Sequence, residues 1–410
     1  MKRNTYIIYL YPFFFRKYHW DRYEFNYLKK YFYVEVHELY KFQYPHIQKF
    51  KRNSYKEDKY VKNFTSYNEW KKYFLKLVQE LKEKKIKILV IKEPISIFSD
   101  IKISLFLKKN KIYFINFIIP SLPSYNTNLL EKRYLKKILI QFKNTLIKPR
   151  HFLATLVNLF LIKLEDYFNL IPSRLLVAGK LYEDYYKKLF FKKNIKIISC
   201  NAPDYSNYLI TNKLEKKIVN YNYAVFVANP PPGSFTDSSV IKSELLWTAE
   251  DFYPILNNFF KKIEEYFQIK IVIALHPKSE VLRSGSYNYY SRDVFYNKTD
   301  KLIKNAKFVI SNGATTAASF AVLYKKPLLF LTFDQRIKSY SLHEYDKYFA
   351  KFFDSNLVNI SDAHFCFNKS IINFKINKTK YNLYKLNYLS SRFDKKPNYR
   401  IFVDELINKF

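Results

Sequence analysis

Residues 308–320 read FVISNGATTAASF and carry the clearest pattern in the chain. The apolar run that ends at Ser311 is typical of a buried strand, and the Asn312-Gly313 pair directly after it signals a turn. From Ala314 onward, small and apolar residues predict a helix that extends to Tyr324. A strand, a glycine turn and a helix in this order form one step of a fold in which helices alternate with parallel strands.

The same alternation runs through the whole chain of 410 residues, which is long enough for two domains. In the first half, the pattern predicts strands at 6–11, 33–36, 86–91, 112–119, 175–179 and 195–199, with helices at 20–31, 67–84, 129–142 and 152–168. After a polar stretch at 207–222 it predicts strands at 223–227, 270–275, 308–311 and 328–332, with helices at 250–267, 298–305 and 314–324. The predicted fold class is α/β, with two Rossmann-like domains facing a cleft. We expect an N-terminal domain at 1–210, a C-terminal domain at 223–375, and a helical segment at 376–410 that packs back on the first domain.

The formal charge of +36 comes from lysine far more than from arginine, since the 71 basic residues comprise 59 Lys and 12 Arg. The lysines are dispersed in twos and threes, which mainly indicates a solvated surface with a weak preference for anionic lipid or polyanionic substrates. No zinc-finger, helix-turn-helix or RNP pattern is present, so we expect no nucleic-acid partner. The excess of Lys, Asn, Tyr and Phe over Gly and Ala is the profile of a very AT-rich coding sequence.

Cysteine usage and hydropathy favour a cytoplasmic protein. Cys200 and Cys366 supply neither a disulfide framework nor a metal cluster, which fits a reducing compartment. The apolar run at 6–15 lacks a small-residue cleavage site and is better interpreted as a strand than as a signal peptide. The uncharged run at 151–162 is too short to cross a bilayer. Because the lysine excess and the helix at 152–168 suit an anionic leaflet, we expect loose contact with the inner face of the plasma membrane.

The four glycines are informative because codon drift has removed most others: Gly179, Gly233, Gly285 and Gly313. A glycine that persists indicates either a positive φ or close approach of the backbone to a ligand. Two of the four lie at the carboxyl ends of predicted strands, the edge where open parallel sheets bind ligands. The N-terminus of a helix after Gly313 would offer free N–H groups to a phosphate, with hydroxyls from the Thr315-Thr316 pair. The alternative is plain capping, with Thr315 as the N-cap and the alanines packing the helix on the sheet.

His276 stands at the end of the predicted strand 270–275 and precedes Pro277. An imidazole at that sheet edge can donate to a phosphate oxygen or stabilise a leaving nucleotide. Packing or surface exposure is the ordinary role of a single histidine, and five of the other histidines fit it.

These residues resemble a known family. The segment Val272-Ile273-Ala274-Leu275-His276-Pro277-Lys278-Ser279 resembles the HP motif of bacterial GT-B glycosyltransferases, which include sialyltransferases, polysialyltransferases and capsule-type Kdo transferases. The Thr315-Thr316 pair is similar in position to the paired Ser/Thr motif of those enzymes. A group of surface-carbohydrate biosynthesis proteins is similar to residues 253–267, 271–279, 298–299 with 302–303, and 319–333 with Lys326-Pro327. The resemblance covers residues 224–334 and reaches the first domain only in general shape.

The resemblance implies a donor site and its ligand. His276 and the threonine pair would hold the phosphate of a nucleotide sugar, with CMP as one nucleotide that the motif implies and a sialic acid or Kdo-like sugar as its cargo. The expected substrate-binding residues form one set: Pro277, Lys278, Ser311, Asn312, Gly313, Thr315, Thr316, Gly233 and Arg292. Residues 1–210 would then be the acceptor domain and 223–375 the nucleotide-sugar domain. No cofactor and no metal ion are expected, because such enzymes stabilise the leaving nucleotide with basic groups and a helix dipole.

The sequence leaves three candidates for the catalytic base. The acidic D/E-D/E-G acceptor motif of the sialyltransferases is absent, since residues 1–150 contain no glycine. His19 and Asp21 follow the first strand and Glu93 follows the third, so each is a base of suitable type near a strand end. For each residue the competing interpretation is a solvated surface side chain.

Three functions remain open from sequence. The first is transfer of a sugar from a nucleotide donor to a cell-surface glycan or glycolipid acceptor by a metal-independent enzyme. The second is a nucleotide-sugar epimerase on the same double fold, which needs no acceptor. The third is a non-catalytic carbohydrate- or nucleotide-binding protein.

Overall fold

The chain forms two compact units. The computed structural model describes residues 4–45, 56–93, 98–119, 122–123, 170, 172–190, 195–212, 217–228, 248–275, 289–338, 340–362 and 367–406. The first unit takes Met1–Ile119, Asn126–Cys200 and Asn398–Phe410, and the second takes Pro120–Tyr125 and Asn201–Pro397.

The described residues of the first unit form a parallel sheet of seven strands in the order β3-β2-β1-β4-β5-β6-β7. Its strands are β1 (Thr5–Tyr11), β2 (Tyr33–Glu38), β3 (Val61–Asn63), β4 (Lys87–Lys92), β5 (Phe114–Ile118), β6 (Arg174–Ala178) and β7 (Lys196–Cys200). Its helices are α1 (Lys17–Arg22), α2 (Phe25–Leu28), α3 (Tyr40–Gln43), α4 (Tyr67–Glu83), α5 (Phe98–Lys109) and α6 (Lys180–Leu189), with a 3₁₀ turn at Lys56–Tyr60. Six of the strands follow the order 3-2-1-4-5-6 of a Rossmann fold, and β7 extends the sheet.

In the second unit, the part of the chain that the structure describes repeats that order with six strands, β10-β9-β8-β11-β12-β13, all parallel. Its strands are β8 (Tyr223–Val227), β9 (Lys270–Leu275), β10 (Val294–Tyr296), β11 (Val309–Ser311), β12 (Leu328–Thr332) and β13 (Leu357–Asn359). Its helices are α7 (Pro203–Thr211), α8 (Ala249–Phe267), α9 (Thr299–Asn305), α10 (Ala318–Leu323), α11 (Asp334–Ile337), α12 (Tyr340–Phe352) and α13 (Lys378–Tyr384), followed by a π-helical turn at Lys385–Leu389. The prediction of two Rossmann-like α/β units is therefore confirmed.

Burial patterns explain why these segments form strands and helices. All five residues of β8 are buried, as expected for a central parallel strand covered on both faces. In α4, Trp70, Phe74, Val78 and Leu81 recur at helical spacing and are buried, and the Ser66 hydroxyl caps the helix by accepting the Glu69 N–H. Helix α8 begins with a capping box between Thr248 and Asp251.

Two predicted helices differ from the structure. The helix expected at 20–31 is interrupted at Glu24, whose φ of 59° is left-handed, so α1 and α2 are separate. Glu24 is buried, and its carboxylate accepts the Tyr399 N–H at 2.8 Å, which stabilises this turn. The helix expected at 314–324 begins only at Ala318, because residues 315–317 form tighter turns in which Ser319 N–H bonds the Thr316 carbonyl. The sequence pattern also missed β3, β10 and β13, which are strands of three residues.

The C-terminal segment is divided between the units. The part before Asn398 belongs to the second unit, where Tyr381 donates to the Lys326 carbonyl at 2.8 Å and Tyr384 is buried beside Ser319. The last helix, α14 (Asn398–Leu406), belongs to the first unit, where the Arg174 guanidinium donates to the Glu405 carbonyl at 3.1 Å.

No helix in the described part of the chain combines the length and the apolar character needed to cross a membrane. The predicted helix at 152–168 and the uncharged run at 151–162 lie outside the described residues.

Candidate functional site

The carboxyl edge of the second sheet is where this topology predicts a ligand. The strand order reverses between β8 and β11, and open α/β sheets bind ligands outside the carboxyl ends of their strands at that switch point. Ala274, Val227 and Ser311 lie level with one another across β9, β8 and β11. β8 therefore separates β9 from β11, and their ends are about 10 Å apart, or two inter-strand spacings. The predicted strands 270–275 and 308–311 are therefore not neighbours in the sheet.

Ser311 and Gly313 form a tight turn at the end of β11. Gly313 has a φ of 91°, a value that side chains disfavour. The Gly313 N–H donates to the Ser311 carbonyl at 3.0 Å, and the Ser311 hydroxyl donates to the Gly313 carbonyl at 2.7 Å. Because Ser311 is fully buried and its hydroxyl is used within the turn, its role here is to shape the backbone.

The space beside Gly313 is filled by an ion pair. A Cβ on Gly313 would lie 2.7 Å from Oδ1 of Asp346 and 2.8 Å from Cζ of Arg336. Arg336 bonds Asp346 through both Nε and Nη2, the second bond being 2.9 Å long. Asp346 Oδ1 also accepts the Ala314 N–H at 2.9 Å. The glycine is thus required by its φ and by the contact with Arg336 and Asp346, and two N–H groups of the turn, those of Gly313 and Ala314, are already bonded.

Asn312 and the threonine pair occupy different environments. Asn312 and Thr315 are buried, and Thr315 Oγ1 accepts the Ala317 N–H at 3.4 Å. Thr316 is exposed. The N-cap of α10 is Ala317, which has no side-chain hydroxyl. The interpretation of Thr315 as the N-cap is therefore wrong. Of the pair, Thr316 is the residue whose side chain is accessible to a ligand.

Four predicted site residues lie outside the described residues: Gly233, His276, Pro277 and Lys278. The chain enters these segments from the same sheet edge, since β9 ends at Leu275 and β8 at Val227.

Arg292 lies at the amino ends of the strands of the second sheet, opposite the carboxyl edge, because it precedes the first residue of β10. Its guanidinium bonds the Glu264 carboxylate through Nε at 3.0 Å and Nη2 at 2.6 Å, while Nη1 donates to Asn257 Oδ1 at 2.8 Å. A groove of about 630 Å³ borders these residues. The structure does not bring Arg292 together with Ser311 and Gly313.

The first sheet has a corresponding switch point between β1 and β4, and Glu93 directly follows β4. Glu93 Oε1 accepts hydrogen bonds from the hydroxyls of Tyr9, at 2.8 Å, and Tyr23. Burial raises the pKa of both phenols well above the ordinary value, so they remain protonated donors. Glu93 Oε2 makes no hydrogen bond to any described residue. The carboxylate is thus held by one oxygen and has the other available.

His19 is buried and has both ring nitrogens in hydrogen bonds. Nδ1 accepts the Arg16 N–H at 2.9 Å, so the neutral ring carries its proton on Nε2, which lies 2.8 Å from the Tyr11 hydroxyl. Nδ1 therefore serves as part of the cap of α1.

Asp21 has a side chain that is 54% exposed and pairs with Lys17 at 2.6 Å, one helical turn earlier. That is the arrangement of a solvated surface ion pair. Among the three predicted bases, the structure gives Glu93 the strand-end position and an available oxygen.

Sequence reasoning missed Arg336, Asp346, Tyr9 and Tyr23. One signal for Arg336 was present: in a chain with 59 Lys and 12 Arg, a retained arginine indicates a site where lysine does not suffice. No comparable signal marks Asp346 or the tyrosines, which are common in this chain. Among the described residues, no group of three or more His, Cys, Asp and Glu side chains could hold a metal ion.

No model of a known protein family and no curated protein sequence matches the chain. Several solved structures are similar to it. The S. aureus MnaA–UDP complex is 12% identical, with 99% of this chain and 98% of that chain covered and a TM-score of 0.44. Os79 from O. sativa in complex with UDP is 9% identical, with 98% and 91% covered and a TM-score of 0.47. UDP-N-acetylglucosamine 2-epimerase from Rickettsia bellii is 9% identical, with 98% and 99% covered and a TM-score of 0.41.

Proposed function

We propose that the protein is a GT-B-type glycosyltransferase that moves a sugar from a nucleotide donor to a cell-surface glycan or glycolipid. The observation that carries the proposal is the position of residues 311–316, which follow β11 at the switch point of a Rossmann-ordered sheet. The switch point of the sheet and the tight turn at 311–316 both suit the binding of a nucleotide phosphate. The HP-like segment at 272–279 supports the donor class, with CMP as one expected nucleotide and a sialic acid or Kdo-like sugar as its cargo.

The donor site in this proposal combines the turn with the segments that follow β8 and β9. Thr316 and the imidazole of His276 bind the phosphate, while Gly233, Pro277 and Lys278 complete the site. The N–H groups of Gly313 and Ala314 are not available, because the Ser311 carbonyl and the Asp346 carboxylate accept them. An imidazole and a hydroxyl donor at this position would stabilise the charge that develops as the nucleotide leaves.

Glu93 is the catalytic base in this proposal. Its Oε2 accepts the proton of the acceptor hydroxyl, while Tyr9 and Tyr23 fix Oε1 and orient the carboxylate. The acceptor oxygen forms a bond to the anomeric carbon as the bond from that carbon to the phosphate oxygen breaks. The products are the lengthened glycan, the nucleotide and a protonated Glu93, which loses its proton to solvent.

We also propose that the enzyme works in the cytoplasm at the inner face of the plasma membrane. The charge of +36, carried mostly by dispersed lysines, supports attraction to anionic lipid, where a lipid-linked acceptor would be presented.

The test is an assay of nucleotide release from CMP- and UDP-activated sugars, with and without a bacterial surface glycan. Transfer predicts release that depends on the acceptor, together with a glycan that gains one sugar in mass. A sugar nucleotide that changes its stereochemistry without acceptor would identify an epimerase instead. Binding of nucleotides without any turnover would identify a non-catalytic binding protein. Either of these two outcomes would contradict the proposal.

A further inference from the structure

Buried side-chain polar atoms without a hydrogen-bond partner occur in both units, and one group of them lies in a short stretch of the second unit. Native proteins leave few such atoms, and each one indicates a missing partner such as water, an ion or a ligand. Between residues 332 and 343, three of them have no partner among the described residues: Thr332 Oγ1, Gln335 Oε1 and His343 Nδ1. Arg336, which lies between them in sequence, is also incompletely bonded.

Arg336 is buried but uses only part of its hydrogen-bonding capacity. A guanidinium has five N–H donors, and Asp346 takes one from Nε and one from Nη2. The remaining three, two on Nη1 and one on Nη2, make no hydrogen bond to any described residue. Nη1 and Nη2 together present a parallel pair of donors, which matches two oxygens of a phosphate.

Thr332, His343 and Asp346 lie on the side of the sheet that α12 covers. Thr332 is only 2% exposed and ends β12 on the same face as Phe330, which packs on Phe349 of α12. On α12, His343 and Asp346 are three residues apart and therefore share a face. Burial lowers the pKa of His343, and so do the charges of Lys347 and, to a smaller extent, Arg336, whereas the charges of Glu344 and Asp346 raise it. The imidazole therefore lies within the electrostatic field of the ion pair as well as that of its neighbours on α12.

The group adjoins the turn at Gly313. The Arg336 guanidinium fills the space that a Cβ on Gly313 would need. Asp346 accepts a hydrogen bond from the Ala314 N–H. Asp346 is fully buried, so it orients the guanidinium and neutralises one charge without filling its remaining donors.

We propose that Arg336, Thr332 and His343 form a phosphate site at the carboxyl ends of β11 and β12. Arg336 offers a charged donor pair, Thr332 a hydroxyl donor and His343 a ring nitrogen. This inference rests on the proposed function in one respect, since the phosphate is assigned to the donor nucleotide. It adds three residues that neither the HP-like segment nor the threonine pair includes.

Calorimetric titration with inorganic phosphate, CMP, UDP, cytidine and uridine tests the site, combined with urea unfolding of each variant. In Arg336→Lys, we expect the affinity for CMP or UDP to fall at least tenfold, because lysine cannot supply the paired donors. In Thr332→Val, we expect a roughly three- to tenfold loss, with an unchanged or higher unfolding midpoint, because a buried hydroxyl without a partner is removed. Affinity for the nucleosides should change little in both variants.

Ser319→Ala is the matched control. This hydroxyl is also buried in the second unit, but it shares a 3.0 Å hydrogen bond with Tyr384. Its loss should lower the unfolding midpoint and leave phosphate affinity unchanged.

Two results separate this inference from the proposed function. If wild-type protein binds CMP or UDP and Thr332→Val and Arg336→Lys bind them equally well, the phosphate site is overturned and the proposed function stands. If wild-type protein binds inorganic phosphate in a manner that needs Arg336 and Thr332 but binds no nucleotide, the phosphate site stands and the nucleotide donor is wrong.

Discussion

The guanidinium of Arg336 lies where a side chain on Gly313 would begin, with Cζ 2.8 Å from the position of a Cβ. The glycine was predicted to serve either a positive φ or the approach of a ligand, and the structure gives it a φ of 91° and an internal partner. The turn at the end of β11 is therefore built together with the Arg336–Asp346 pair.

Substitution of Gly313 tests this relationship. Gly313→Ala should lower the free energy of unfolding by about 1–3 kcal/mol, since it forces a side chain into a left-handed φ and displaces Arg336. Gly313→Val should be worse, because a β-branched side chain resists that backbone conformation. Gly179→Ala, at a φ of 78° in the first unit, is the control for backbone strain alone. Both alanine variants should lose stability in urea unfolding, but only Gly313→Ala should lose nucleotide affinity. Equal nucleotide affinity in Gly313→Ala and Gly179→Ala would contradict the account.

Glu93 should behave as the base that the proposed reaction needs. Glu93→Gln should lower turnover by about 10²–10⁴-fold and leave nucleotide affinity unchanged, because the amide keeps the size but cannot take a proton. Tyr23→Phe should cause a smaller loss, since one of the two donors to Oε1 remains. Comparison of turnover in Glu93→Gln, His19→Gln and Asp21→Asn decides which of these three residues is the catalytic base. Full turnover in Glu93→Gln would remove this residue from the mechanism.

Stability of the first unit should fall on acidification. His37 is buried, donates from Nε2 to Glu35 at 2.7 Å and accepts the Trp70 indole N–H at 3.1 Å. Burial lowers its pKa from 6.5, and the charge of Lys62 lowers it further, against the opposing effect of Glu35. The unfolded chain therefore binds a proton that the folded unit does not, and the free energy of unfolding should decrease as the pH falls below 6.5.

Glu35 adds to this loss at lower pH. Burial alone would raise the pKa of its carboxyl, but hydrogen bonds from His37, Tyr73 and Tyr6 outweigh burial and lower the pKa below 4.5. Stability from this group is present above pH 4.5 and is lost as the pH falls through the folded-state pKa. Urea unfolding between pH 7 and pH 4 measures both effects. His37→Gln should be less stable at pH 7 but should show a flatter dependence between pH 7 and pH 5.5, and an unchanged slope would contradict the assignment.

Membrane association, if it is electrostatic, should be sensitive to salt. The protein should sediment with vesicles that contain anionic lipid at low ionic strength and should be released at about 1 M salt, where the Debye length is near 3 Å. Vesicles of neutral lipid are the control. Binding that persists at high salt would require an apolar contact instead.

The fold was predictable because its elements are long and strongly patterned. The buried run of β8 and the spacing of Trp70, Phe74 and Leu81 in α4 each specify one structure. Short elements were missed: strands of three residues, such as β10 and β13, have too few positions to show alternation. The early end of α1 depends on Glu24, whose left-handed turn is stabilised by Tyr399 far away in sequence.

The candidate site was predictable only in part. The turn at 311–316 follows from local sequence, since a strand, a glycine and small residues are contiguous there. The contact between Gly313 and Arg336 joins positions 23 residues apart, and Tyr9 meets Glu93 across 84 residues. Such contacts depend on strand order and register, which a single sequence does not reveal.

The central claim is that the donor phosphate binds at the carboxyl edge of the second sheet with the help of His276. Its most direct test is the rate of acceptor-dependent nucleotide release by His276→Ala, measured beside wild-type protein with the unfolding midpoint of each. The account predicts a fall of roughly 10²–10³-fold in turnover, by analogy with the loss of one donor to a developing anion, and an unchanged midpoint. Wild-type turnover and nucleotide affinity in His276→Ala would contradict the account.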